Sequence, residues 1–260
     1  MRSSGERTPP LPIDLEALAL AVVGAYRERT LIDAPSRTLP RFSKRDALAI
    51  AGRVRALRIA AGETPVGYKV GFTNGAVRSQ FEAEAQLAAT VYQQTLAAEP
   101  RIDARTLLGP RIEPEVVVGF GPGGHVAWAA LGFEIVQSHV AEWNFGYLDA
   151  IADFGLHAAL VVGEQRAVTS RELEGLSGMQ VRLLRNGAVV EHGASADVDG
   201  GPLGSIAWLR DDLHRVGREL QPGELVSTGS MTRVPAIAAG ERWTLEALGG
   251  ELPELTIDID

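Results

Sequence analysis

Three carboxylates stand in otherwise apolar sequence. Glu113 and Glu115 lie in Pro110-Arg111-Ile112-Glu113-Pro114-Glu115, and Glu134 follows in Gly132-Phe133-Glu134-Ile135. The run Val116-Val117-Val118 reads as a strand, and side chains alternate across a strand, so Glu113 and Glu115 point to one face. Glu134 belongs to a second apolar run, Leu131 to Val136. Carboxylates crowded together repel: two unit charges about 4 Å apart cost roughly 4 kcal/mol at an effective dielectric near 20. A divalent cation removes that cost, and oxygen-only ligands favour a hard ion such as Mg²⁺. The same spacing also describes a strand with two glutamates on a solvated face. Pro114 bears on the choice, because proline cannot donate to a sheet ladder and marks an edge, a strand start or a bulge. Bulges often re-aim side chains beside active sites.

The elements that must position these groups follow from periodicity and breakers. Ile13 to Arg29 reads as a helix, with Leu15, Leu18, Val22 and Tyr26 at three- and four-residue spacing. Pro35 to Pro40 reads as a loop, and Ser43 as the N-cap of a helix over Lys44 to Ala61. Pro65 to Phe72 alternates as a strand carrying Lys69, and Ala76 to Ala89 is expected to be helical. Arg111 to Phe120, a turn at Gly121-Pro122-Gly123-Gly124, and Ala127 to Val136 follow. Tyr147 to Phe154 reads as a short helix that sets Asp149 and Asp153 on one face. Ala158 to Val162 reads as a buried strand, and Asn186-Gly187 marks a hairpin between Met179–Arg185 and Ala188–Glu191. A late helix opens at Gly200-Gly201-Pro202 with a stripe of Ile206, Leu209, Leu213, Val216 and Leu220. Glu224 to Thr228, Arg242 to Leu248 and Leu255 to Ile259 close the chain as strands. Helices first, then a strand-rich body with one late helix, is an α+β pattern and not an alternating parallel sheet. The division expected is a disordered tail over 1–12, a helical region over 13–64 and a β-rich catalytic body over 65–260.

Composition narrows the function. The net charge is −8, from 33 acidic and 25 basic side chains, which argues against a nucleic-acid partner. With no cysteine, disulfides, thiolate zinc sites and cysteine nucleophiles are excluded, and a cytoplasmic protein is expected. The apolar run Leu15 to Val23 is too short for a membrane span, and Asp14 and Glu16 at its start suit a helix's first turn, not an export signal.

Six segments together resemble the 2-keto-4-pentenoate hydratase family of the fumarylacetoacetate hydrolase superfamily. They are Gly67 to Thr73, Arg111 to Glu115, Gly132 to Val136, Asp149 to Asp153, Gly201 to Gly204 and Ser227 to Thr232, in the family's order. The resemblance implies a distorted β-sandwich or roll with an N-terminal helical part packed against it. It implies one Mg²⁺ or Mn²⁺ held at Glu113, Glu115 and Glu134. It implies a lyase of aromatic-compound catabolism, a hydratase acting on a small 2-oxo acid, and a homo-oligomer. The metal would polarise the keto group and stabilise the enolate beside it. Lys69 falls on the family's active-site lysine, a cation aimed into the pocket, although the pattern alone would allow a half-exposed strand lysine. Thr228 and Ser230 fall on a glycine-bearing loop that lines the family's substrate pocket; turn chemistry explains the same residues. The segments around His139 and His157 resemble one branch of the family. Either histidine could shuttle a proton, since a pKa near 6.5 suits that work, and either could be structural. Asp149 and Asp153 are expected behind the direct metal ligands.

The chain departs from the family at three presumed substrate contacts. Leu87 stands where an aspartate is usual, Asn144 where a basic residue follows the tryptophan, and Phe154 where asparagine is common. The metal site is untouched by these changes. A 4-oxalocrotonate-type decarboxylase or an acylpyruvate hydrolase on the same scaffold are alternatives, as is a non-catalytic binding subunit. No histidine precedes His125, which counts against the lid Glu–His pair of superfamily hydrolases.

Overall fold

Asp14 accepts from the Ala17 N–H at 3.0 Å and starts helix α1, Leu15–Glu28. The structure is a computed structural model that describes residues 13–260, so the tail expected over 1–12 lies outside the described residues. Helix α2, Pro35–Thr38, is a single turn where a loop was expected; proline at the first helical position costs no hydrogen bond and its φ is already helical. Helix α3, Lys44–Ala60, opens with a capping box of Ser43 and Asp46, as the serine predicted. Ala19, Val22 and Val23 of α1 and Ala47, Ile50 and Val54 of α3 are buried in one cluster with residues of the later helix α5 described below.

Strand β1 is Pro65–Gly71, helix α4 is Gly75–Gln80 and strand β2 is Leu87–Tyr92. The helix expected over Ala76 to Ala89 therefore ends at Gln80. Leu87 to Tyr92 pairs antiparallel with β1, and this ladder overrides the helix propensity of its alanines. Strands β3, Arg101–Ile102, β4, Arg111–Phe120, and β5, Val126–Val136, come next, then helix α5, Tyr147–Ala152. Strands β6, His157–Val162, and β7, Arg166–Ala167, precede helix α6, Ser170–Gly175. Strands β8, Gln180–Arg185, and β9, Ala188–Ala194, form the predicted hairpin, with Asn186 and Gly187 both at positive φ. Helix α7 is Gly201–Arg215, and β10, Leu225–Ser227, β11, Arg242–Ala247, and β12, Leu255–Ile259, complete the chain. Because α7 stops at Arg215, its buried stripe ends at Leu213, and Val216 is 66% exposed instead of extending it.

Among the described residues there are two mixed sheets and no closed barrel. The larger runs β2-β1-β10-β4-β5-β6, with β7 also paired to β5; the smaller runs β3-β12-β11-β8-β9. One face of the larger sheet carries Ile112, Val116, Val118, Leu131, Phe133 and Ile135. These pack in one core with Trp243, Leu245 and Ile257 of the smaller sheet and Ile206 and Leu209 of α7. The period of two leaves the alternate residues of β1, β4 and β5 on the opposite face. No helix of the described residues is long and apolar enough to cross a membrane.

Candidate active site

The β4–β5 ladder sets Glu113 directly opposite Glu134 and Glu115 opposite Gly132. Alternation puts all three glutamates on the face turned away from the inter-sheet core. Lys69 reaches the same face: it pairs with Ser227 of β10, which in turn pairs with Val117 of β4. One oxygen from each of Glu113, Glu115 and Glu134 lies within 4.8 Å of the others. At that limit two full charges repel by about 3–4 kcal/mol at an effective dielectric near 20.

Glu115 and Glu134 are each held by one oxygen. Glu115 Oε2 accepts from Ser227 Oγ at 2.5 Å and from the Gly229 N–H at 2.8 Å. Gly229 can make that approach because it has φ +110° and no Cβ; one would lie 2.2 Å from Thr73 Oγ1. Glu134 Oε1 lies 2.9 Å from His157 Nδ1 and 3.2 Å from Lys69 Nζ. The second oxygens, Glu115 Oε1 and Glu134 Oε2, are buried without a hydrogen-bond partner. Orphaned buried carboxylate oxygens, with Glu113 beside them, form a donor set that fits a hard divalent cation.

The electrostatics agree with that fit. Burial, with Glu134 adding to it and Lys69 opposing, pushes the Glu113 carboxyl up to about 7. Burial and then Glu134 and Glu113 push Glu115 well above the usual carboxylate range. Burial acts the same way on Glu134, but Lys69 and His157 outweigh it and hold this carboxyl below its ordinary value. Burial disfavours the charged form of Lys69, yet Glu134, Glu113 and Glu115 together raise its pKa. Burial lowers the pKa of His157, and Glu134 only partly offsets this.

Lys69 Nζ also donates to the Gly155 carbonyl at 3.0 Å. An ammonium has three hydrogens, so two such contacts leave one for the cavity that Lys69 lines. This cavity, about 860 Å³, is bordered by Lys69, Glu113, Arg111 and Ser230 and by the apolar Phe72, Val77, Phe81, Phe145 and Leu156. Phe81 stacks on Phe145, with ring centroids 5.4 Å apart. Arg111 lies over the Trp143 ring at 4.5 Å and donates to the Val234 carbonyl, and Arg233 pairs with Glu191.

The fold thus brings together Glu113, Glu115, Glu134, Lys69 and His157, with Ser230 on the wall of the same cavity. Thr228 and His139 are placed elsewhere. The Thr228 hydroxyl donates to the Val116 carbonyl at 2.8 Å, and His139 Nδ1 sits 2.6 Å from Asp153 Oδ1. Neither borders the cavity. Asp149 accepts from Ser36 and the Gly146 N–H, tying α5 to α2. Of the three departures, Leu87 and Phe154 are buried in the helical cluster and Asn144 accepts from Arg37; none borders the cavity. Two partners of the site had not been anticipated. Ser227 faces the carboxylates because it sits one residue before Thr228 on β10, and the strand's alternation carried that signal. Thr95, in the turn after β2, meets His157 Nε2 at 2.9 Å, and no local pattern marks it.

No protein-family model matches the chain. It is similar to the 2-keto-4-pentenoate hydratase of Paraburkholderia xenovorans (strain LB400), 30% identical over 224 residues, 80% of this chain and 82% of that protein. Its fold is similar to 4-oxalocrotonate decarboxylase from Pseudomonas putida G7, solved with magnesium and adipate. The TM-score is 0.87 at 25% identity, covering 98% of this chain and 100% of that one. Fumarylpyruvate hydrolase from Pseudomonas aeruginosa shares the fold at TM-score 0.56 and 18% identity, over 75% of this chain and 89% of that one.

Proposed function

Because the chain belongs to the 2-keto-4-pentenoate hydratase family, with the fumarylacetoacetate hydrolase fold, we propose that it is a divalent-metal-dependent hydro-lyase. It adds water to a 2-hydroxydienoate, the enol form of a 2-oxo-4-enoate, and gives a 4-hydroxy-2-oxo acid. The observation that carries this reading is the pair of buried, unpartnered oxygens on Glu115 and Glu134, which lie beside Glu113 and Lys69.

Glu113, Glu115 and Glu134 would hold Mg²⁺ or Mn²⁺, hard ions that an all-oxygen set suits. Magnesium in the Pseudomonas putida decarboxylase supports that reading. When bound, the ion supplies Lewis-acid polarisation of the 2-oxo group. Ser227 and Gly229 hold Glu115 in place, and His157 does the same for Glu134. Lys69 stays protonated beside three carboxylates, so it serves first as a cation toward the substrate carboxylate. Its third Nζ hydrogen would be the proton given to the dienol, a role supported by its two other contacts. Ser230 offers a hydroxyl at the cavity wall, and the aromatic side offers the substrate's hydrocarbon tail an apolar surface.

Decarboxylation of a 4-oxalocrotonate-type diacid is the second reading, favoured by the overlap with the Pseudomonas putida enzyme. A second substrate carboxylate would need a free cation at the far end of the cavity. Arg233 is already paired with Glu191, Arg111 is committed to Val234 and Trp143, and Asp197 adds negative charge to the wall. The hydratase reading is therefore preferred, with an uncharged alkenyl tail against Phe72, Phe81 and Phe145. Ultraviolet loss of 2-hydroxypenta-2,4-dienoate with added Mg²⁺ tests it. Metal-dependent loss of that absorbance without CO₂ is expected; CO₂ release from 4-oxalocrotonate with no hydration of the dienoate would replace it with the second reading.

A further inference from the structure

His157 is 1% exposed, and both of its ring nitrogens are engaged. Nδ1 lies 2.9 Å from Glu134 Oε1, and Nε2 lies 2.9 Å from Thr95 Oγ1. A neutral imidazole has one N–H and one bare nitrogen. Glu134 is a carboxylate that accepts, so Nδ1 must carry the hydrogen, and Nε2 must then find a donor. Thr95 is the group that meets it. Its hydroxyl also lies 2.9 Å from the Tyr92 carbonyl and accepts from the Tyr92 N–H at 3.2 Å. If Thr95 gave its one hydrogen to Tyr92, Nε2 would need its own. The ring would then be a cation in a dry site that already holds the Lys69 ammonium. With the hydrogen turned to Nε2, the ring is neutral and its Nδ1–H is fixed on Glu134.

This arrangement has a consequence at the carboxylate. Glu134 Oε1 is occupied by two donors, Nδ1–H and Nζ, and the orphaned Oε2 is left as the oxygen that faces outward from them. A histidine of the other tautomer would set a lone pair against Oε1 and release Glu134 to rotate. We propose that Thr95 is a positioning residue: through His157 it sets which oxygen of Glu134 is offered to the divalent cation. This rests on the metal reading given above. Thr95 precedes the carboxylate segments and touches neither cation nor substrate, so it acts only through the ring.

The test reads the ring and the metal separately. In ¹⁵N-histidine-labelled wild-type protein, His157 is expected as the Nδ1–H tautomer; finding it as Nε2–H, or as the doubly protonated ring, overturns the proposal without any variant. Thr95→Val keeps the side-chain shape and removes the hydroxyl. It is expected to shift the His157 ¹⁵N pattern and to weaken Mn²⁺ binding, measured by titration calorimetry, by about tenfold or more, in line with outer-sphere partners of metal ligands. Thr95→Ser restores both. Wild-type Mn²⁺ affinity together with an unaltered ring spectrum in a folded Thr95→Val protein overturns the role of Thr95 alone. Failure of the wild-type protein to bind Mn²⁺ overturns the metal reading, and this inference with it.

Discussion

Glu113 and Glu134 are direct partners across the β4–β5 ladder. Like charges directly opposite one another destabilise a sheet, and Cβ atoms at such positions are only about 4.5–5.5 Å apart. Glu115 is next along the same face. The protein tolerates this because the other face of both strands is locked into the inter-sheet core through Ile112, Val116, Phe133 and Ile135. Rigid strands thus present a repulsive set that a divalent ion would relieve.

Removing one of the crowded charges should separate stability from binding. Glu115→Gln is expected to lower Mn²⁺ affinity at least a hundredfold and to abolish turnover. The metal-free variant should melt no lower than the metal-free wild type, because a buried charge and its repulsion are gone. Calorimetric titration and thermal denaturation check the two halves independently.

The raised Glu113 carboxyl makes metal-free stability depend on pH. A group whose pKa is higher in the folded than the unfolded state adds stability below its unfolded value, and that contribution is lost as pH rises through the folded one. For Glu113 the loss runs from the ordinary carboxylate range up through about 7. Glu115, also raised, acts in the same direction. The metal-free Tm should therefore fall between pH 6 and pH 8, and saturating Mg²⁺ should raise Tm more at pH 8 than at pH 6. A Glu113→Gln protein should show a flatter metal-free profile by differential scanning calorimetry.

Lys69→Met keeps the length of the side chain and removes the cation. Loss of a positioned proton donor is expected to lower kcat by about 10²–10⁴. Mn²⁺ affinity should not fall, since the carboxylates lose a competing positive charge. A collapse of metal binding parallel to the loss of kcat would show that Lys69 serves only to build the site.

Gly155 supports Lys69 from behind. It has φ +62°, and a Cβ there would lie 2.7 Å from Ala89 Cβ and 2.9 Å from Leu87 Cδ1. Gly155→Ala should cost about 1–3 kcal/mol of stability and shift the carbonyl that holds Nζ. An increase in KM with a lower Tm is expected; unchanged values of both would remove the link between this turn and Lys69.

Much of the scaffold was legible in the chain. The boundaries of β4 follow from an alternating run ended by Gly-Pro-Gly-Gly, and those of α3 from Ser43 and the helical spacing after it. That Glu113 stands directly opposite Glu134 came only with the register of the β4–β5 hairpin, which has one bulge near its end. The longest misread segment has a tertiary cause. Ala76 to Ala89 has helical propensity throughout, but Leu87 to Tyr92 closes the open edge of β1, a demand that exists only once β1 is in a sheet.

What the amino-acid sequence determined by itself was the cast of the site: carboxylates two apart on one strand, a third across a tight turn, and a lysine on another alternating strand. Local periodicity sets which side chains share a face, and the resemblance to the family singled that face out over a solvated one. The roles of the remaining residues were decided by tertiary structure. Antiparallel pairing of β10 with β4 brought Ser227 rather than Thr228 to Glu115, and the turn after β2 brought Thr95 under His157. Those partners are far apart along the chain, and hydrogen bonds between distant segments leave no period in either one.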